Sequence, residues 1–199
     1  PFAPCGLPLL VGSLPLADHG EAADWVHSAT PESPTWAQLP SFAEEGMVRQ
    51  FAPGMPGLAL GDERICVEAA AAGFEDALVS FYEDYMAVEE GAGDLADTRF
   101  ALRPDTARGF FVLLERLARR AAPPAVVKGQ VTGPVTFALG LRRQDGRAIF
   151  YDLHLRDAAV KLLALKARFQ IRRLKAAGAP VVVFLDEPAL AGYGSSDMI

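Results

Sequence analysis

The sequence is poor in cysteine and histidine, has no long hydrophobic run and carries no excess of positive charge. Two cysteines, Cys5 and Cys66, cannot build a disulfide framework, so a reducing, cytoplasmic setting is the expected compartment. The longest apolar run, near Pro180 to Leu185, falls far short of the roughly 20 residues that a membrane span needs. No basic segment followed by an apolar stretch opens the chain, and no signal peptide is expected. Acidic residues outnumber basic ones, 25 to 19, for a net charge of -6. That balance argues against a strongly cationic partner of nucleic acid or of a membrane surface, and neither is expected here.

What is present is ample apolar material. The chain has 199 residues, 51% of them hydrophobic, which is enough to bury the core of one ordinary domain. There is no internal repeat and no low-complexity linker, so residues 1–199 read as a single domain.

Local patterns place the elements. Leu9-Leu10-Val11 is a first strand candidate, and a helix is expected from about Leu16 to Ala29. Thr35 to Leu39 reads as a short second strand ended by Pro40. Leu58 to Leu60 and Ile65 to Val67 flank Gly61-Asp62-Glu63-Arg64 as a hairpin. Three amphipathic stripes then follow at spacings of three and four: Phe74 to Val88, Phe110 to Ala121 and Leu155 to Phe169. Asp105 or Thr106 is available to cap the second of these helices, and Gly178 to end the third. Ala125 to Val131 and Pro180 to Leu185 are apolar runs rich in β-branched residues. Such runs, separated by long helices, read as buried parallel strands. The expected fold is α/β, a partial (β/α)8 barrel with about its first four strands and their helices.

In a barrel the C-terminal strand ends form the active-site face, so polar residues just after the strands are the informative ones. Gly12 lets backbone approach a ligand closely, and Ser13 adds a hydroxyl near a helix start suited to an anion. Asp186 ends the most hydrophobic strand, where a carboxylate needs a cationic or hydrogen-bonding partner such as a substrate ammonium. The plain alternative is that Ser13 caps a helix and Asp186 a turn before Pro188.

Three segments carry a family resemblance. Phe184-Leu185-Asp186-Glu187-Pro188-Ala189-Leu190 resembles the "DEPAL" segment of the cobalamin-independent methionine synthases. Val127-Lys128-Gly129-Gln130-Val131-Thr132-Gly133-Pro134-Val135-Thr136 is similar to the "GPVT" strand end of the same superfamily, which includes uroporphyrinogen decarboxylase. Val11-Gly12-Ser13-Leu14-Pro15 is similar to its opening "GS-x-P". The resemblance implies a (β/α)8 barrel that moves a methyl group from a methylfolate or a methylcorrinoid to a thiol amino acid such as homocysteine. It gives Gly12 and Ser13 the substrate carboxylate and Asp186 the ammonium. A further family glutamate acts at that amino group, but the context of Glu63 departs from the pattern, and Glu63 reads as a solvated turn residue.

The departure lies in the metal. The resemblance implies zinc, which stabilises the thiolate, on ligands carried by strands after "DEPAL". Cys5, Cys66, His19, His27 and His154 show no paired ligand spacing, so no zinc site is expected within this chain. His19 and His27 read as helix-surface residues and Cys66 as a small apolar one. A complete barrel takes about 250 residues, and the chain reads as the N-terminal part of one. Whether it is an enzyme by itself stays open, since the activity implied is a methyltransferase without its zinc ligands. A uroporphyrinogen decarboxylase-like protein is the rival enzyme, disfavoured because Gly12 to His19 lacks that family's arginines. A non-catalytic half-barrel is the third reading, with unpaired strand edges that favour a homodimer. The doublets Arg119-Arg120, Arg142-Arg143 and Arg172-Arg173 read as solvated faces.

Overall fold

Helices form where the apolar stripes run. The computed structural model describes residues 6–61 and 64–194, so Cys5 and Glu63 lie outside the described residues. In chain order the elements are α1 (His19–Ala29), β1 (Leu58–Leu60), β2 (Ile65–Val67), α2 (Phe74–Glu89) and α3 (Arg108–Ala118). They continue with β3 (Val127–Thr132), α4 (Pro134–Gly140), α5 (Leu153–Leu174) and β4 (Val181–Asp186). Short 3-10 turns join them, one of which, Pro188–Gly192, follows β4 directly. No helix among the described residues is long and apolar enough to cross a membrane.

This is not the partial (β/α)8 barrel expected from the sequence. Among the described residues the chain is mixed α/β, with five α-helices and two sheets of two strands each, and no barrel-like β/α repeat. The reason lies in the first two strand candidates. Leu9 to Val11 forms no strand, and Thr35 to Leu39 makes only isolated bridges, Ser13 with Gln38 and Thr35 with Lys128. Pro8, Pro15, Pro34 and Pro40 bracket both segments. Each removes a backbone donor and fixes φ, so a ladder does not extend past its first rung.

The two sheets differ in kind. β1 and β2 form the hairpin, antiparallel, with Ala59 opposite Cys66. In the other sheet, Val127 N donates to Pro180 O at one end and Gly133 N to Asp186 O at the other. The equal advance along both chains makes β3 and β4 parallel. α4 is an addition to the expected elements: Pro134 occupies its first turn, where a missing N–H costs nothing.

The chain divides into two compact units. The first comprises Pro1–Gly46, Leu102–Val131 and Ala167–Phe184; the second comprises Met47–Ala101, Thr132–Lys166 and Leu185–Ile199. In the first, Ala22, Ala37 and Leu39 are buried together, with Leu14 and Leu16 packed on them. Trp36 stands edge-on to Phe110, centroids 6.1 Å apart, and Gly109 of α3 lies so close to the Ala37 carbonyl that no side chain fits between.

In the second unit Phe81 stands edge-on to Phe100, centroids 5.4 Å apart, and Leu95, Leu141 and Ile149 are buried in the same unit. Tyr82 of α2 donates to Asp157 of α5 at 2.7 Å, and Lys161 reaches both carboxylate oxygens at 2.6 and 2.7 Å. Burial works to raise the Asp157 pKa, but the Lys161 ammonium and the Tyr82 hydroxyl hold it below the ordinary carboxylate value. Burial and the same carboxylate push the Tyr82 phenol above its own.

Candidate functional site

Alternation along β3 puts Lys128, Gln130 and Thr132 on one face of the strand. In the first unit, Lys128 and Gln130 are fully buried. Lys128 Nζ donates to Val11 O and to Gln130 Oε1, both at 2.7 Å, and lies 4.6 Å from the centre of the Phe184 ring. Thr35 Oγ1 donates to the same Oε1 at 2.9 Å, while Gln130 Nε2 donates to Trp36 O at 2.9 Å. Gln170 closes the network: its Nε2 donates to Gln130 O at 2.8 Å and its Oε1 accepts from Trp36 Nε1 at 3.0 Å. A buried ammonium costs several kcal/mol unless acceptors surround it, and here they do. The reading from sequence missed Lys128, Gln130 and Gln170. Polar residues at every second position of an apolar run were the available signal.

Gly12 and Ser13 belong to the same unit. Gly12 is buried at φ +123°, and a Cβ there would run into the Gln130 amide, so the position requires glycine. Gly12 O accepts from Gln38 N at 2.9 Å, Leu14 N donates to Gln38 O at 3.0 Å, and Ser13 between them is exposed. The start of α1 is already served by the chain's own carboxylate. Asp18 Oδ1 accepts from Glu21 N at 2.8 Å, and that bond, first among several causes, holds Asp18 below the usual carboxylate range.

Asp186 lies in the second unit, half-buried at the end of β4. Its surroundings bind two distant motifs together. Gly133 N donates to Asp186 O at 2.9 Å. The Glu187 carboxylate accepts from Val135 N at 2.9 Å and from Thr136 N at 2.7 Å, and Thr136 Oγ1 accepts in turn from Ala189 N at 3.1 Å. Gly133 is glycine because a Cβ there would meet the Glu187 side chain. The segment 133–136 and the segment 186–189 are thus halves of one clasp that sets the backbone of Asp186.

The clasp has a measurable worth. Removing a charged acceptor from two helix-start N–H groups costs about 1–2 kcal/mol. Glu187→Ala is expected to lose that much in urea denaturation, and Glu187→Gln, which keeps one carbonyl oxygen, to lose less. An unchanged midpoint for Glu187→Ala contradicts the clasp.

The histidines are spoken for elsewhere. His19, read from sequence as a surface residue, is buried; its Nε2 lies 2.6 Å from Glu45 Oε1 and its ring stacks on Phe42. His27 is exposed and meets Arg120 at 3.0 Å. Among the described residues, no group of three or more His, Cys, Asp or Glu side chains is placed to hold a metal ion. No family model, curated protein or solved structure matches the chain.

Proposed function

We propose that the chain takes part in methyl transfer to a thiol amino acid such as homocysteine, as in the cobalamin-independent methionine synthases that its motifs resemble. The clasp carries this reading. Two motifs far apart in sequence, "GPVT" and "DEPAL", are bonded to each other through Glu187 and Thr136. Their joint product is a fixed backbone at Asp186, whose side chain stands at the end of an apolar strand. A carboxylate at that position is suited to the ammonium of an amino acid, by a charge-assisted hydrogen bond. The donor, a methylfolate or a methylcorrinoid, is part of the proposal. Zinc is not: among the described residues no group of three or more His, Cys, Asp or Glu side chains is placed to hold it.

The test is a titration followed by NMR, comparing L-homocysteine with 4-mercaptobutanoate, which lacks the amino group. A charged hydrogen bond of about 1.5–3 kcal/mol corresponds to a preference of roughly ten- to a hundredfold for homocysteine. Asp186→Asn is expected to erase the preference. Equal binding of the two ligands, or a preference untouched in Asp186→Asn, overturns the reading.

A further inference from the structure

The C-terminal end of α3 and the residues after it carry a concentration of positive charge on an otherwise acidic chain. Arg116, Arg119 and Arg120, with Asp24 and His27 from α1, wall an open groove of about 430 Å³. All five belong to the first unit. Arg116 is ion-paired with Asp24 at 2.8 Å, both side chains substantially exposed. Arg120 donates to Ala122 O at 3.3 Å and to His27 Nδ1 at 3.0 Å. Arginine has only donors, so Nδ1 accepts and His27 keeps its proton on Nε2. Arg119 is exposed, and its guanidinium has no hydrogen-bond or ion-pair partner among the described residues.

Magnitudes decide what this groove favours. Three guanidiniums and one carboxylate leave the lining positive by two, against -6 for the whole chain. The C-terminal ends of α1 and α3 oppose this by about half a charge each, which reduces the positive field without cancelling it. The Arg116–Asp24 pair is exposed, and such pairs contribute only about 0–1 kcal/mol. It opens readily when a better anion arrives. The volume lies in the range of about 300–1,000 Å³ usual for small-molecule sites.

We infer that this groove binds a small, multiply charged phosphate, a di- or triphosphate group, held by the forks of Arg119 and Arg120 with Arg116 drawn in from Asp24. The guanidinium fork matches phosphate oxygens two at a time, which a lysine ammonium does not. Three forks around one groove call for more negative charge than a single carboxylate supplies. The groove shares no residue with Asp186 or its clasp, and its ligand binding is tested without them.

Calorimetric titration of the whole chain with sodium tripolyphosphate tests it. Saturable binding is expected with Kd below about 1 mM at low salt, weakening as salt screens the groove. Arg119→Ala with Arg120→Ala is expected to weaken binding at least about tenfold. Arg119→Lys with Arg120→Lys keeps the charge and the fold but loses the forks, and is expected to fall between. Asp24→Asn removes the competing carboxylate and is expected to tighten binding. No saturation, an affinity unmoved in the double alanine variant whose circular dichroism matches the parent, or weaker binding in Asp24→Asn overturns the inference.

Discussion

Gly109→Ala is expected to destabilise the chain by about 3 kcal/mol or more, although alanine is the better helix former. The helix preference is real: alanine gains about 1 kcal/mol over glycine inside a helix. Packing opposes it. A Cβ on Gly109 falls inside the contact distance of the Ala37 carbonyl oxygen, with the Ala37 carbon and nitrogen close behind. These are backbone atoms beside fully buried Trp36 and Phe110, so no flexible side chain can swing away. Overpacking a core typically costs about 1–3 kcal/mol, and a clash with fixed backbone sits at or beyond the upper end. Urea denaturation reads the difference; a variant as stable as the parent, or more so, would show that α3 stands farther from residue 37.

Gln130→Leu is expected to have an effect of similar size by a different route. Its volume is close to that of glutamine, so cavity and strain terms stay small. What is lost is polar: Oε1 accepts from Lys128 Nζ and Thr35 Oγ1, and Nε2 donates to Trp36 O. Depriving a fully buried ammonium of one of its acceptors costs about 1–3 kcal/mol, toward the upper end for a charged group. Replacing both members, Lys128→Met with Gln130→Leu, removes the charge that needed the acceptor. The double variant is expected to be more stable than Gln130→Leu alone, a coupling that a double-mutant cycle measures directly. Strictly additive losses would mean that the two side chains do not depend on each other.

The helices were legible because their cause is local. The stripe Phe74, Leu78, Phe81, Tyr85 and Val88 gives α2 over Phe74–Glu89, and the Leu155 to Phe169 stripe gives α5. β3 and β4 likewise fall where β-branched apolar runs stand. The failure of the expected barrel was not legible, because a strand exists only if a neighbour pairs with it. Leu9 to Val11 has the composition of a strand, yet the prolines around it and around Thr35 to Leu39 leave single bridges. Capping was half legible. Asp105 and Thr106 looked like caps for α3, but Ala107 holds that position without a side-chain bond, while Asp105 pairs with Arg103 at 2.8 Å.

At the candidate site, the position of Asp186 after a strand could be read, and the work of Glu187 could not. Its partners Val135 and Thr136 lie some fifty residues earlier, at the start of a helix too short to show a stripe. His19 escaped for a similar reason. Its burial depends on Glu45, whose other oxygen accepts from Leu39 N at 2.7 Å, a contact that no local spacing announces.

The network around Gln130 also sets an order of events during synthesis. The Trp36 bond to Gln170 spans 134 residues and the Thr35 bond to Gln130 spans 95. The first unit is assembled from three separate stretches, the last of which ends at Phe184. While the ribosome is still making α5, Trp36 has already emerged without its full surroundings. Closing contacts over such separations is slow, and the waiting apolar surface is open to wrong partners until it is done. The chain's yield in a cell therefore depends on how long its front half can wait for its back half.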